Sequence, residues 1–245
     1  DIDILYYLAS KAEPHLPREI SPLRVIEEFE RFSKSEMNFR HEAKNIDLCY
    51  QNASKPVRIP RVYWEHCTSK VLIIEFLKGK KLRDAKAPKK VARQLIDALT
   101  QQVFVSGVFH ADLHPGNIIL MPRGQLGLID FGIVGRLSPE LKVAGFRLWL
   151  AMAKGDTDGV VRVLTDVGFA KKVDLDDFRG EVYAILRDWQ NPSSEQARMT
   201  SCMHRLFNSS KVHGISLPID VVLLGKAFLT AEGTCLDIDP DFDFL

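Results

Sequence analysis

Apolar residues recur along this chain first at helical spacing, then briefly as strand-like runs, then at helical spacing again almost to the end. Residues 1–12 form an amphipathic helical stretch that Pro14 and Pro17 end. Ser21-Pro22 has the form of an N-cap followed by proline, and Val25, Phe29 and Phe32 continue it at helical spacing. A helix over 36–52 is predicted from Met37, Phe39, Ala43, Ile46 and Tyr50 set among charged neighbours. Residues 59–64 and 70–76 read as two strands joined by a polar turn, and Gly79 breaks the pattern. From Pro88 to Ser106, Val91, Leu95, Ala98, Leu99 and Val103 define one buried helical face that Gly107 stops. Residues 118–120 and 126–129 are apolar runs flanking Met121-Pro-Arg-Gly-Gln125, which predicts a hairpin. Beyond Arg136 the pattern predicts helices over 139–152, 158–167, 176–189, 196–208 and 219–232. Acidic starts at Ser138-Pro-Glu140 and Asp174-Leu-Asp-Asp177 suit the positive ends of two of them.

Composition narrows the classes. The chain of 245 residues can bury a large core, and 46% hydrophobic content argues for an ordered globular protein. Its 33 basic and 32 acidic residues nearly cancel, which removes any bulk electrostatic case for nucleic acid. Cys49, Cys67, Cys202 and Cys235 are scattered with no C-x-x-C pair, so buried free thiols are expected rather than a disulfide framework or zinc site. No stretch reaches the roughly 18 apolar residues of a membrane span. The opening residues read as the middle of a helix, so the chain is expected to be cut from a longer one. No internal repeat or low-complexity segment is present.

Chemistry concentrates in His110-Ala-Asp-Leu-His-Pro-Gly-Asn117 and Leu128-Ile-Asp-Phe-Gly132. Asp112 is placed to orient or deprotonate an attacking hydroxyl, while Asn117 and Asp130 offer oxygen ligands to magnesium. The hairpin between them returns Asn117 and Asp130 to one end. His110 and His114 are expected to brace the loop rather than to react. Phe131 is expected to pack beneath the metal loop. Residues 72–75 leading into Phe76 and Leu77 match a hinge whose backbone would bond an adenine edge, with Glu75, Phe76 and Leu77 as nucleotide-binding positions. Glu36 and Glu42 lie on one predicted helix, and one of them is expected to pair with the lysine that holds nucleotide phosphates. Neither that lysine nor a phosphate-covering glycine loop is in this sequence, so residues 1–245 alone are expected to turn over negligibly. Lys78, Lys80, Lys81, Lys86, Lys89 and Lys90 form a basic run beside the site, read as a solvated face with substrate phosphate or lipid headgroup as the alternative.

These segments together resemble the UbiB family of atypical kinase-like proteins, which includes coenzyme Q8-like members. The matches are residues 35–45, 71–79, 109–117 and 128–135. The resemblance is specific over about 1–140 and looser to the end. It implies an α+β, protein-kinase-like fold, with a partial small lobe over 1–79 and a helical large lobe over 80–245. It makes Asp112 the catalytic-loop aspartate, Asn117 and Asp130 the metal ligands, and Glu42 the partner of the missing lysine. Glu36 matches the first acid of a Glu-x-Asp motif whose second acid is Asn38 here. The family's Lys-x-Gly-Gln extension, its alanine-rich nucleotide loop and its C-terminal membrane segments are not in the sequence. The resemblance implies ATP and Mg2+ as ligands and lipid prenylquinone precursors or quinone-biosynthesis enzymes as partners. It also implies membrane-surface association, on the cytoplasmic face in bacteria or the matrix side in an organelle. An aminoglycoside- or choline-type phosphotransferase and a non-catalytic nucleotide-binding pseudokinase are the alternatives.

Overall fold

The computed structural model describes residues 2–13, 22–23, 26, 38–53, 57–170, 173–191 and 198–242. Helix α1, Ile2–Ala12, and helix α2, Phe39–Gln51, precede a four-stranded sheet. The helix expected from Ser21 onward falls almost wholly outside the described residues, as does Glu36. Asn38 is the N-cap of α2, its side chain accepting the Arg40 N–H at 3.2 Å. That capping is what an Asn before a helix does best.

The sheet orders β1 (Val57–Arg58), β5 (Leu126–Leu128), β4 (Ile118–Leu120) and β2 (Lys80–Lys81), with β1 parallel to β5 and the rest antiparallel. Ile118 faces Leu128 and Leu120 faces Leu126 across the hairpin, as the two apolar runs predict. Gly79 lets the chain press onto this sheet, since a Cβ there would lie 2.5 Å from the Leu120 carbonyl oxygen. The two strands expected over 59–64 and 70–76 do not form. Pro60 offers no N–H, and a single turn of 3₁₀ helix occupies Trp64–His66. What remains is one bridge, Val62 to Ile74, with backbone bonds from Tyr63 N–H to Ile73 and from Glu75 N–H to Arg61.

Helix α3, Lys90–Thr100, buries Val91, Leu95, Ala98 and Leu99, the face its spacing predicts. It widens into a π-helical turn over Gln101–Ser106 that Gly107 closes at φ 74°. Strand β3 (Val108–His110) then pairs with β6 (Val134–Arg136). Gly135 lies opposite Phe109, and a Cβ on it would overlap the Phe109 ring.

The rest is helical: α4 (Pro139–Lys154), α5 (Thr157–Val167), α6 (Leu175–Trp189), α7 (Met199–Val212) and α8 (Ile219–Ile238). Strands β7 (Phe169–Ala170) and β8 (Ile215–Ser216) join two of their connections. Ser138 and Asp174 cap α4 and α6 as their acidic starts predict. One core gathers Ile46, Leu95, Phe109, Leu128, Phe131 and Ala231, so α8 returns to the residues around β3–β5. A second gathers Leu148, Leu164, Phe178, Trp189 and Leu206 from α4 to α7.

Candidate active site

The π-helical turn at the end of α3 sets the entry to the site. It presents Gln102, whose Oε1 accepts the His110 N–H at 3.0 Å. Such turns are uncommon and recur at functional sites. The His110 ring is fully buried and reaches both functional loops. Its Nδ1 accepts the Asp112 N–H at 3.1 Å, so Nε2 carries the proton and donates to the Asp130 carbonyl at 2.7 Å. Burial holds this imidazole below its ordinary pKa, against the pull of the two carbonyls and the nearby acids. A neutral His110 therefore pins the Asp112 loop to the Asp130 loop.

The hairpin closes the same junction from its other side. Ile129 N–H donates to the Asn117 carbonyl at 2.9 Å, so Asn117 and Asp130 leave the β4–β5 ends together. The Asn117 amide donates through Nδ2 to the Asp112 carbonyl at 3.2 Å, so Oδ1 is the atom that could serve a cation. Asp130 has φ 62°, a left-handed conformation that costs a non-glycine residue about 1–2 kcal/mol. Its Oδ1 accepts the Gly132 N–H at 3.3 Å, the local bond that makes Asp tolerable there.

Helix α2 holds the residue after it from two sides. Glu42 accepts the Phe131 N–H at 3.1 Å, and Asn45 Nδ2 donates to the Phe131 carbonyl at 2.8 Å. The Phe131 ring is buried edge-on to His110, centroids 4.9 Å apart. Glu42 thus reaches the metal loop, and together with Asp130, Asn38, Lys44 and Arg136 it lines a polar cleft of about 350 Å³.

The floor of the Asp112 loop is supplied by α8, which sequence reading missed. Thr230 Oγ1 accepts the Leu113 N–H at 3.2 Å, and Thr234 Oγ1 donates to the Leu113 carbonyl at 2.7 Å. One turn before Thr230, Lys226 Nζ stands 3.6 Å from Asp112 Oδ2, both side chains about one-third exposed. Lys226, Thr230 and Thr234 follow each other at four-residue spacing on a helix of otherwise mostly apolar residues. That polar stripe is the signal that could have found them. His114 Nδ1 accepts the Gly116 N–H at 3.1 Å and shapes the loop tip.

The hinge positions stand apart from the cleft. The Glu75 carboxylate is taken by Arg58 at 2.5 Å and by the Arg61 N–H at 3.2 Å. The Arg58 guanidinium holds that carboxyl below the usual range, against partial burial. Phe76 is 87% exposed and Leu77 is buried. An adenine edge could meet backbone groups here, but not the Glu75 side chain.

The donor set suits magnesium. Among the described residues no three His, Cys, Asp or Glu side chains cluster to cage a metal. Magnesium needs no cage: one carboxylate, one amide oxygen, phosphate and water complete its octahedron. Asp130 and Asn117 would supply the first two, since Asn117 pairs with Ile129, the residue before Asp130.

The ABC1 atypical kinase-like domain matches residues 1–164, two-thirds of the chain. The chain belongs to that family. The UbiB helical domain matches residues 182–243, so the UbiB resemblance of the sequence motifs holds over both parts. Among solved structures, the complex of Rv3197 with erythromycin from Mycobacterium tuberculosis is similar at 18% identity and a TM-score of 0.61. The likeness covers 92% of the ABC1 chain and 60% of the neighbour, and it shows a shared fold. The ABC1 fold is thus α+β and kinase-like, with a small sheet beside a mostly helical body. Among the described residues no helix is long and apolar enough to cross a membrane.

Proposed function

We propose that this ABC1 chain carries the catalytic centre of an Mg-ATP-dependent ATPase or small-molecule kinase serving ubiquinone or related prenylquinone metabolism. The observation that carries this reading is the pinning of Asp112 to a strained Asp130 through His110, with the Asn117 amide bonded to the Asp112 carbonyl. Strain of this kind persists where the surroundings enforce it for a purpose. Asn117 and Asp130 would hold a magnesium ion, which would supply positive charge to the phosphate oxygens. Asp112 receives the proton of the attacking hydroxyl or water. The attacking oxygen bonds the γ-phosphorus, the bond to the bridging oxygen breaks, and its electron pair leaves on ADP. Lys226 places a positive charge beside Asp112, where it would offset charge developing on the transferred phosphoryl group. The prenylquinone assignment is supported by family membership and by both UbiB-type segments. Membrane-surface action, on a bacterial cytoplasmic face or an organellar matrix side, is supported by exposed Phe76 next to Lys78, Lys80 and Lys81.

The test is calorimetry of ADP with and without magnesium on the wild type and on Asp130→Asn. Magnesium-dependent affinity is expected to fall at least about tenfold in the variant, the loss of one charged ligand. Undiminished magnesium-dependent binding in the variant refutes the metal role.

A further inference from the structure

The lysines at residues 78–90 are exposed apart from half-buried Lys81, as a solvated face requires, but they do not share the same neighbours. Lys80 and Lys81 lie on β2, and Lys89 is drawn to Asp239 at 2.6 Å and Asp241 at 3.8 Å. Arg83 and Lys86 instead line a second pocket of about 550 Å³, which shares no wall residue with the Asp130 cleft. Its walls are residues 82–83 and 85–87 on one side, Pro115 at the tip of the Asp112 loop, and Thr234, Asp237 and Ile238 from the last turns of α8.

Two hydrogen bonds and one close approach tie this pocket to the catalytic loop. Arg83 N–H donates to the Pro115 carbonyl at 3.3 Å. Arg83 Nη1 stands 3.8 Å from where a Cβ on Gly116 would lie. Thr234 bonds Leu113, the neighbour of Asp112. The Lys89–Asp239 pair joins the two outer walls, since Asp239 directly follows Ile238 and Lys89 lies two residues after Ala87. The lining sets two cations, Arg83 and Lys86, against one acid, Asp237, with Leu82, Ala85, Ala87 and Ile238 as apolar surface. Arg83 also meets Asp84 at 3.5 Å, but that pair is more than half exposed, so it does not commit the guanidinium.

We propose that this pocket is the acceptor subsite of the proposed phosphotransferase, and that it takes an amphiphile with a phosphate headgroup on an apolar body. It rests on that reading for the word acceptor, but the binding site stands on its own. Arg83 and Lys86 hold the phosphate by charge-assisted hydrogen bonds, and Leu82, Ala87 and Ile238 cover the adjoining apolar segment. Pro115 lies in the Asp112 loop and Thr234 bonds Leu113 beside Asp112, so a hydroxyl carried on that body would be the acceptor, its oxygen bonding the γ-phosphorus of ATP as ADP leaves and its proton passing to Asp112.

The test titrates the whole chain with monomeric octyl phosphate, inorganic phosphate and octyl glucoside, in the presence of saturating ADP and magnesium. Octyl phosphate is expected to bind more tightly than either control. The double variant Arg83→Ala, Lys86→Ala is expected to weaken it at least about tenfold. Asp237→Asn is expected to tighten it by a few fold, because a repelling charge is removed. All three side chains sit at a surface pocket, and circular dichroism verifies that each variant folds. Unchanged octyl phosphate affinity in the double variant, or weaker binding by Asp237→Asn, overturns the subsite. Equal binding of octyl phosphate and inorganic phosphate overturns the amphiphile class. ADP affinity is measured on the same proteins: if ADP fails to bind while octyl phosphate responds as expected, the kinase reading falls and the anion site remains. Anionic vesicles with octyl phosphate as competitor separate a bilayer headgroup from a free phosphate ester.

Discussion

His110 joins two loops because its ring nitrogens face opposite ways, one accepting from Asp112 and the other donating to Asp130. This arrangement needs the neutral ring, and burial enforces it. An unfolded imidazole takes up a proton near pH 6.5, whereas the native one resists, so the unfolded state binds more protons below that pH. Stability is therefore expected to be level above about pH 6.5 and to fall as the pH drops below it. Thermal unfolding between pH 8 and 5 checks this, and His110→Gln is expected to flatten that slope while lowering the whole curve. A wild-type melting temperature that holds steady down to pH 5 would rule the account out. The residues of this junction were legible because Asp112, Asn117 and Asp130 sit in short motifs whose spacing is set by one hairpin. Lys226 was not, since its contact to Asp112 spans more than a hundred residues and a lone helix lysine looks like any surface charge.

Among the elements, α8 does most to organise the others, and it acts through polar atoms on a largely apolar helix. Beyond the stripe under Leu113, it carries Glu232, buried at 4% exposure. That carboxylate accepts the N–H groups of Met199 at 2.9 Å and Thr200 at 2.7 Å and also meets the Thr200 hydroxyl. It does for the first turn of α7 what no N-cap side chain does there, since Arg198 makes no capping bond. Glu232→Ala is expected to lower stability by about 1–3 kcal/mol, read from the urea midpoint. A midpoint that does not move would show that water replaces the cap. Helices were legible from their periodicity, and α3 buries the residues that its pattern selects. The strand pair over 59–76 was not, because apolar and β-branched content announces a strand while a proline and a 3₁₀ turn prevent its ladder. The π-helical turn after α3 left no mark in the pattern either, since its apolar positions fit an α-helix nearly as well.

Over the molecule as a whole, two cores meet at α8, which packs with α3 in the first and approaches α7 in the second. All four cysteines are buried and unpaired, as their scatter along the sequence suggests. Burial pushes the thiols of Cys49, Cys202 and Cys235 up to about 12. The native protein is thus expected to react with a thiol reagent such as DTNB only as fast as it opens, and fully in denaturant. Rapid labelling of Cys49, Cys202 or Cys235 without unfolding would contradict the packing described. The kinase-like match ends at residue 164, yet Thr230 and Thr234 hold up the loop that carries Asp112. A protein trimmed at that boundary would keep every motif side chain and lose the beam beneath them. In this family member the helical segment supports the loop of the proposed catalytic residue, and whatever shifts the last described helix also resets the geometry at Asp112.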